Sequence, residues 1–365
     1  MALQCGIIGI TNVGKTTIFN CLSNTRGETH AFAFSATKSN IGIIQVPDQR
    51  LYELEKHQVT EKIVHTTVEI VDIPGLTKGS NKGEGSGNKF LGDIRNTDAL
   101  IHVLRCFDDE NLPHIEGSVD PVRDIETIDL ELQVKDLESV EKKIERLKKA
   151  SKSGDKESLQ GLEVLERYRD HIGNFNNARS LRVKDEEKKF IDDLFLLTMK
   201  PVMFICNVDE KSAASGNHYV DRVKEFLRGR DAEMLIIAGK TEAEIADLEN
   251  IDDRNAFLAD AGLDEPGVNK LIRAAYKLLN LQTFFTVGPK EIRAWTIKKG
   301  MTAPQAAGVI HSDLERGFIR AEVMKYDDFI TLGSEHRCKE AGRFYIEGRN
   351  YVVGDGDILH IRFNV

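Results

Sequence analysis

The densest chemistry in this chain of 365 residues lies in Gly9-Ile10-Thr11-Asn12-Val13-Gly14-Lys15-Thr16. Two glycines permit a tight loop whose backbone N–H groups converge, and a lysine and a hydroxyl follow at once. This order, G-x-x-x-x-G-K-[ST], cradles phosphate. The Lys15 ammonium reaches the β and γ oxygens and is the first catalytic candidate, while the Thr16 hydroxyl ligates Mg²⁺. Asn12 offers an amide that can help seat K⁺, whose charge would stabilise the phosphoryl transition state.

Three further clusters complete the chemistry. Asp72-Ile73-Pro74-Gly75 ends an apolar run, and D-x-x-G after a phosphate loop places an Asp that holds Mg²⁺ through water and a Gly whose N–H meets the γ-phosphate. By itself the tetrapeptide is also a common strand-ending turn. Leu76 follows, where Ras-type GTPases have a glutamine that orients the attacking water. Leucine cannot hydrogen-bond water, so another group must serve, and His114 in the polar segment 108–114 is a candidate as well as an ordinary loop histidine. The run from Lys78 to Lys89, rich in glycine and charge, has the composition of a switch that orders around γ-phosphate.

Base choice turns on Asn207-Val208-Asp209-Glu210, where GTPases read N-K-x-D. Glu210 in place of Asp disturbs the bidentate fit to guanine, and Val208 in place of Lys removes packing against the base. The Asn207 amide and nearby backbone can instead read adenine; the alternative is that these residues simply end a strand. Ala238-Gly239-Lys240 fits the next base-contacting loop.

Positioning these groups requires strands that end at them. Apolar, β-rich runs at Cys5–Ile10, Val64–Asp72, Ala99–Arg105, Val202–Asn207 and Met234–Ala238 alternate with helical patterns. That predicts an α/β fold with a mostly parallel sheet and ligands beyond its carboxyl ends. Between Ile128 and Lys200 the texture changes to charged helices. Leu137, Val140, Ile144 and Leu147 stand on one arm, and Leu159, Leu162, Leu165 and Tyr168 on another, predicting a helical hairpin. From Thr283 onward, short runs at Thr283–Val287, Glu291–Thr296, Arg343–Ile346 and Ile358–Phe363, with a helix near Ala303–Arg316, predict a small separate α+β domain. The division is thus 1–127 with 200–282 for the nucleotide domain, 128–199 for the hairpin and 283–365 for the last domain.

The formal net charge is −9, which argues against indiscriminate nucleic-acid binding. The last segment differs, with twelve Lys plus Arg against eleven Asp plus Glu from Thr283 to Val365. There Arg293, Trp295, Lys298 and Lys299 set an aromatic among cations, a pattern of RNA-contacting faces or of a core tryptophan with solubilising lysines. Five cysteines lack paired spacing and read as reduced core residues. No apolar stretch approaches eighteen residues, so a cytoplasmic protein without membrane contact is expected.

GITNVGKTT, VDIPGLTKGSNKGEGSGNKFLGDIRNTDALIHVLRCF, VDPVRDI, NVDE and QTFFTVGPKEIRAWTIKKG through DGDILHIRFNV, in this order, resemble the YchF/Obg-like ATPases over nearly the whole chain. The resemblance implies a P-loop NTPase core of the OBG type, an inserted helical hairpin and a C-terminal β-grasp domain of the TGS type. It implies Mg²⁺-dependent hydrolysis preferring ATP to GTP, binding to the ribosome or its large subunit, and RNA-linked work for the TGS-like domain. Residue by residue, Asn12, Val13, Gly14, Lys15, Thr16 and Thr17 match the phosphate loop, and Asp72 and Gly75 the switch. Asn207, Val208 and Glu210, with Ala238 and Gly239, match the base site; Leu76 matches a hydrophobic replacement of the glutamine, and His114 a histidine that assists hydrolysis. One stretch departs: Ala36 falls at the switch threonine, so Ser35 or Thr37 is left to supply the second Mg²⁺ hydroxyl, with Thr37 the candidate ligand. Ala238-Gly239 also lacks a serine. The reading is an ATP-hydrolysing switch; its rivals are a GTPase with a relaxed base pocket and a nucleotide-dependent scaffold without turnover.

Overall fold

A computed structural model describes residues 3–23, 40–75, 86–150, 156–248 and 250–364. The chain runs β1 (Gln4–Ile8), α1 (Lys15–Ser23), β2 (Asn40–Gln45), α2 (Gln49–His57), β3 (Ile63–Val64), β4 (Thr67–Asp72), α3 (Ser86–Asn96), β5 (Ala99–Arg105), α4 (Pro121–Ala150) and α5 (Lys156–Gly173). It continues through β6 (Val202–Asn207), β7 (Glu233–Ile237), β8 (Leu281–Val287), β9 (Ile292–Lys298), β10 (Phe318–Met324), β11 (Tyr345–Glu347) and β12 (Ile358–Phe363), with short helices between them.

Strands β5 and β6 are buried along their whole length, as strands covered on both faces must be. They lie in a sheet of order β2-β4-β1-β5-β6-β7. β1 runs parallel to β4 and β5, β5 to β6, and β6 to β7. The carboxyl ends of β1, β4, β5 and β6 therefore share one edge, and each opens into a polar segment: Gly9 onward, Asp72 to Gly75, Arg105 onward, and Asn207 to Glu210. This is the α/β architecture that the alternating runs predict.

Met1–Gly42 with Glu69–Leu271 forms one compact unit, and Ile43–Val68 with Ile272–Val365 the other. The second unit thus takes in residues 43–68 and 272–282, which the sequence division assigns to the nucleotide domain. The run Val64–Asp72 is correspondingly two strands. Ile63 and Val64 pair with Ile292 and Arg293 in the second sheet, whereas Glu69 to Asp72 pair with β1 in the first. Apolar periodicity shows that a segment is extended but not which sheet it joins.

The hairpin has its own core of Val140, Ile144, Val164, Leu165, Tyr168 and Ile172. Its first helix begins at Pro121, earlier than expected, since proline is favoured where a helix starts. The second arm is rotated from the expected stripe: Gly161, Val164, Leu165, Tyr168 and Ile172 face inward, and Leu159 is exposed. Spacings of three and four give the helical period, whereas strict steps of three drift off the face.

The second sheet has the order β11-β10-β12-β8-β9-β3. Adjacent Phe284 and Phe285 point to opposite faces, as strand geometry requires. Phe284 packs with Ile297, Phe318, Ala321 and Val323. Phe285 packs with Ile292, Ala294, Met324 and Ile358, where Leu51 and Leu54 of α2 join. Trp295 stacks on Phe284, donates its indole N–H to Thr286 Oγ1 at 3.0 Å and lies beneath the Arg293 guanidinium, 3.9 Å from its ring centroid. The expected helix near Ala303–Arg316 divides at His311, an extended residue that caps Ser312–Arg316.

Candidate functional site

The loop between β1 and α1 is built on positive φ angles at Gly9, Asn12 and Gly14. Gly14 is required twice over, because at φ +93° a Cβ there would also meet Asn207 Nδ2 at 2.2 Å. The Gly14 carbonyl accepts from the Ile18 N–H at 3.0 Å, joining the loop to α1. Lys15 is buried and donates to the Ile10 carbonyl at 2.6 Å. Burial pulls its pKa down to about 8 against the opposing pull of Asp72, and burial likewise raises the Asp72 carboxyl despite Thr16 and Lys15. Burial prevails over ion pairing at both groups, so the lysine is a cation in need of an anion.

Thr16 Oγ1 donates to Asp72 Oδ2 at 3.2 Å, so a hydroxyl from α1 meets a carboxylate from the end of β4. One hydroxyl and one carboxylate beside a phosphate loop suit Mg²⁺, which usually completes its shell with water and phosphate oxygens rather than an all-protein cage. Among the described residues no cluster of three or more His, Cys, Asp or Glu could hold a metal. Gly75 closes the same space: a Cβ there would approach Lys15 Nζ to 2.7 Å and the Thr11 N to 3.3 Å. Thr16 and Thr17 are exposed at the start of α1. Thr37, Ser35, Leu76 and the segment 78–85 lie outside the described residues.

The far end of the site is arranged differently. Asn207 is buried; its Nδ2 donates to the Val13 carbonyl at 2.8 Å, and its Oδ1 accepts the Gly239 N–H at 2.9 Å. It braces two loops, and one N–H and one oxygen lone pair of its amide remain for a base. Val208 is buried, with its N–H given to the Ile237 carbonyl at 2.9 Å. Asp209 caps the turn by accepting from the Ser212 N–H, while Glu210 is exposed at its first position. Ala238 and Gly239 are buried where Gly239–Asp247 begins.

His114 is brought near the phosphate loop through its neighbour, since Asn12 Nδ2 donates to the Pro113 carbonyl at 3.2 Å. Its side chain, expected in a polar loop, is only 3 % exposed and lies 3.1 Å from Asp124 Oδ2. Arg105 shapes the approach. This fully buried guanidinium donates to the carbonyls of Phe107, Leu112 and Asp109 at 3.1, 2.7 and 3.2 Å. No motif marks Arg105 or Asp124; their signals are an arginine ending a wholly buried strand and an acid in the first turn of a helix opened by proline.

Similarity to known proteins agrees with this arrangement. The Ribosome-binding ATPase YchF of Bacillus subtilis is 46% identical over the full length of both chains, and the protein of that name from Escherichia coli O157:H7 is also 46% identical over the full length of both. The chain belongs to the YchF family. A YchF GTPase structure from Schizosaccharomyces pombe is 32% identical, with a TM-score of 0.87 over 99% of this chain and 97% of that one. A family model described as 50S ribosome-binding GTPase matches residues 4–154, and the YchF-GTPase_C model, described as a protein of unknown function, matches 281–364. No helix among the described residues is long and apolar enough to cross a membrane.

Proposed function

We propose that this YchF-family chain hydrolyses nucleoside triphosphate, prefers ATP to GTP, and binds the ribosome through its large subunit. The observation that carries the reading is the convergence of Lys15, Thr16, Asp72 and Gly75 at one sheet edge, each within reach of the next. The names borne by full-length relatives support ATP and the ribosome as partners.

In this reading Asn12, Val13, Gly14, Lys15, Thr16 and Thr17 hold the phosphates, and Thr16 and Asp72 hold Mg²⁺, the latter through water, with Thr37 as a further ligand. Mg²⁺ supplies charge neutralisation for the transferring phosphoryl group. Lys15 neutralises the terminal oxygens, Gly75 leaves room for that ammonium and offers its N–H, and Asn12 also seats K⁺. Asn207 fixes the phosphate loop relative to Gly239, so the base lies among Asn207, Val208, Glu210, Ala238 and Gly239. The exposed Glu210 is one methylene longer than the aspartate of N-K-x-D, which disturbs the bidentate fit and disfavours guanine. His114 serves the attacking water. The 283–365 segment acts as a TGS-like domain for RNA contact, the 128–199 hairpin is a separate insertion, and the protein works in the cytoplasm.

The test is hydrolysis of ATP and GTP by purified protein with Mg²⁺, with and without K⁺ and ribosomes, beside sedimentation with 50S subunits. Faster turnover of ATP, stimulated by ribosomes and by K⁺, is expected. A preference for GTP contradicts the base assignment, and absence of turnover above buffer contradicts the enzyme assignment.

A further inference from the structure

Both ring nitrogens of His114 are engaged. Nδ1 accepts the backbone N–H of Glu116 at 3.1 Å, so in the neutral ring the proton resides on Nε2, which donates to Asp124 Oδ2 at 3.1 Å. Arg123 closes the group, with Nη2 3.4 Å from His114 Nδ1 and 3.5 Å from Asp124 Oδ1. The two side chains are nearly without exposure, at 3 % and 2 %. An imidazole held in this way has neither a lone pair to accept a water's hydrogen bond nor an N–H to give.

The holding residue belongs to the hairpin. Asp124 lies in the first turn of α4, the 30-residue helix that forms one arm. The residue before that helix, Asp120, is itself gripped by Arg222 Nη2 at 3.0 and 2.9 Å. The start of α4 is thus anchored on one side and clasps the candidate water-positioning group on the other.

We propose that Asp124 is a positioning residue that holds His114 off the nucleotide, and that hydrolysis proceeds from a second arrangement in which the first turn of α4 has released the ring. This rests on the nucleotide-hydrolysing reading given above. In the released arrangement a ring nitrogen accepts a hydrogen bond from water. The water oxygen bonds to the γ-phosphorus as the bond to the β–γ bridging oxygen breaks. The electron pair leaves on the diphosphate, and the water's proton passes to the ring and then to solvent. A displacement of the hairpin that turns the start of α4 acts on His114 through Asp124, with Arg123 moving alongside it.

The experiment compares steady-state ATP hydrolysis by the full chain with Asp124→Asn, Asp124→Ala, His114→Ala and Asp124→Asn/His114→Ala. Binding of a fluorescent ATP analogue and the melting temperature are measured for each. Asp124→Asn keeps the shape and removes the charge that strengthens the hydrogen bond, so kcat is expected to rise about fivefold with KM unchanged. The double variant is expected to fall to the level of His114→Ala. A kcat that falls or stays constant in folded Asp124→Asn and Asp124→Ala overturns the proposal, as does a rise that survives in the double variant. Either result beside a wild type that binds the analogue and hydrolyses ATP sinks the clasp alone; a wild type that binds or hydrolyses no nucleotide sinks the functional reading and the clasp with it.

Discussion

The two ends of the candidate site use their side chains in opposite ways. At the phosphate end Lys15, Thr16 and Asp72 face one another with mismatched burial and charge, and Gly75 leaves space beside them. At the base end Asn207 is occupied by two loops, Val208 is buried, and Asp209 and Glu210 stand exposed. The phosphate end is poised for an anion common to all nucleotides, while the base end is mainly a brace. Affinity should therefore depend on the first region and discrimination on small changes in the second.

Lys15→Ala breaks the comparison most severely. Removing a charged donor to phosphate should weaken nucleotide binding about 100-fold, read by titration with a fluorescent ATP analogue. Removing the buried cation should leave the melting temperature unchanged or raised, because burial already penalises Lys15. Asn207→Ala should act on both ends, since it leaves the Val13 carbonyl and the Gly239 N–H without this partner. A stability loss of about 1–3 kcal/mol, measured by denaturant unfolding, is expected together with weaker binding of ATP and GTP alike. A selective loss of one nucleotide would show that Asn207 reads the base more than it braces.

Acid sharpens the contrast between site and scaffold. His102 on β5 is buried, and burial lowers its pKa to about 3, beneath the unfolded value of 6.5. The unfolded chain therefore binds a proton that the folded one refuses, and stability falls as pH drops from 6.5 toward 3. His102→Gln should flatten that part of the melting profile. Lys15 works in the alkaline direction. Its folded pKa of about 8 lies below the ordinary lysine value of 10.5, so nucleotide affinity should decline as pH rises through 8 while folding stability increases from 8 toward 10.5. The smallest effect is expected at Glu210→Asp, which should shift the ATP to GTP affinity ratio about fivefold toward GTP by restoring the shorter carboxylate.

The same contrast explains what was legible beforehand. The phosphate loop is local in sequence, so its glycines, lysine and threonine announced themselves, and the strand ends at Asp72 and Asn207 followed from apolar runs. The duties of Asn207, Arg105 and Asp124 were hidden because each acts on backbone or side chains brought near only by folding. Asn207 meets Val13 across 194 positions. His114 lies in the polar loop that its sequence suggests, but its side chain is held by Asp124 and Arg123 of α4, whose start at Pro121 no local pattern around His114 reveals. β3 and β4 read as one run because nothing in Val64–Asp72 says that two sheets share it.

The most direct measurement is a competition titration of ATP against GTP on the wild-type protein with Mg²⁺, followed by single-turnover hydrolysis of each. The account predicts tighter binding and faster cleavage of ATP, both lost in Lys15→Ala. Equal or tighter binding of GTP, with GTP cleaved faster, would contradict it.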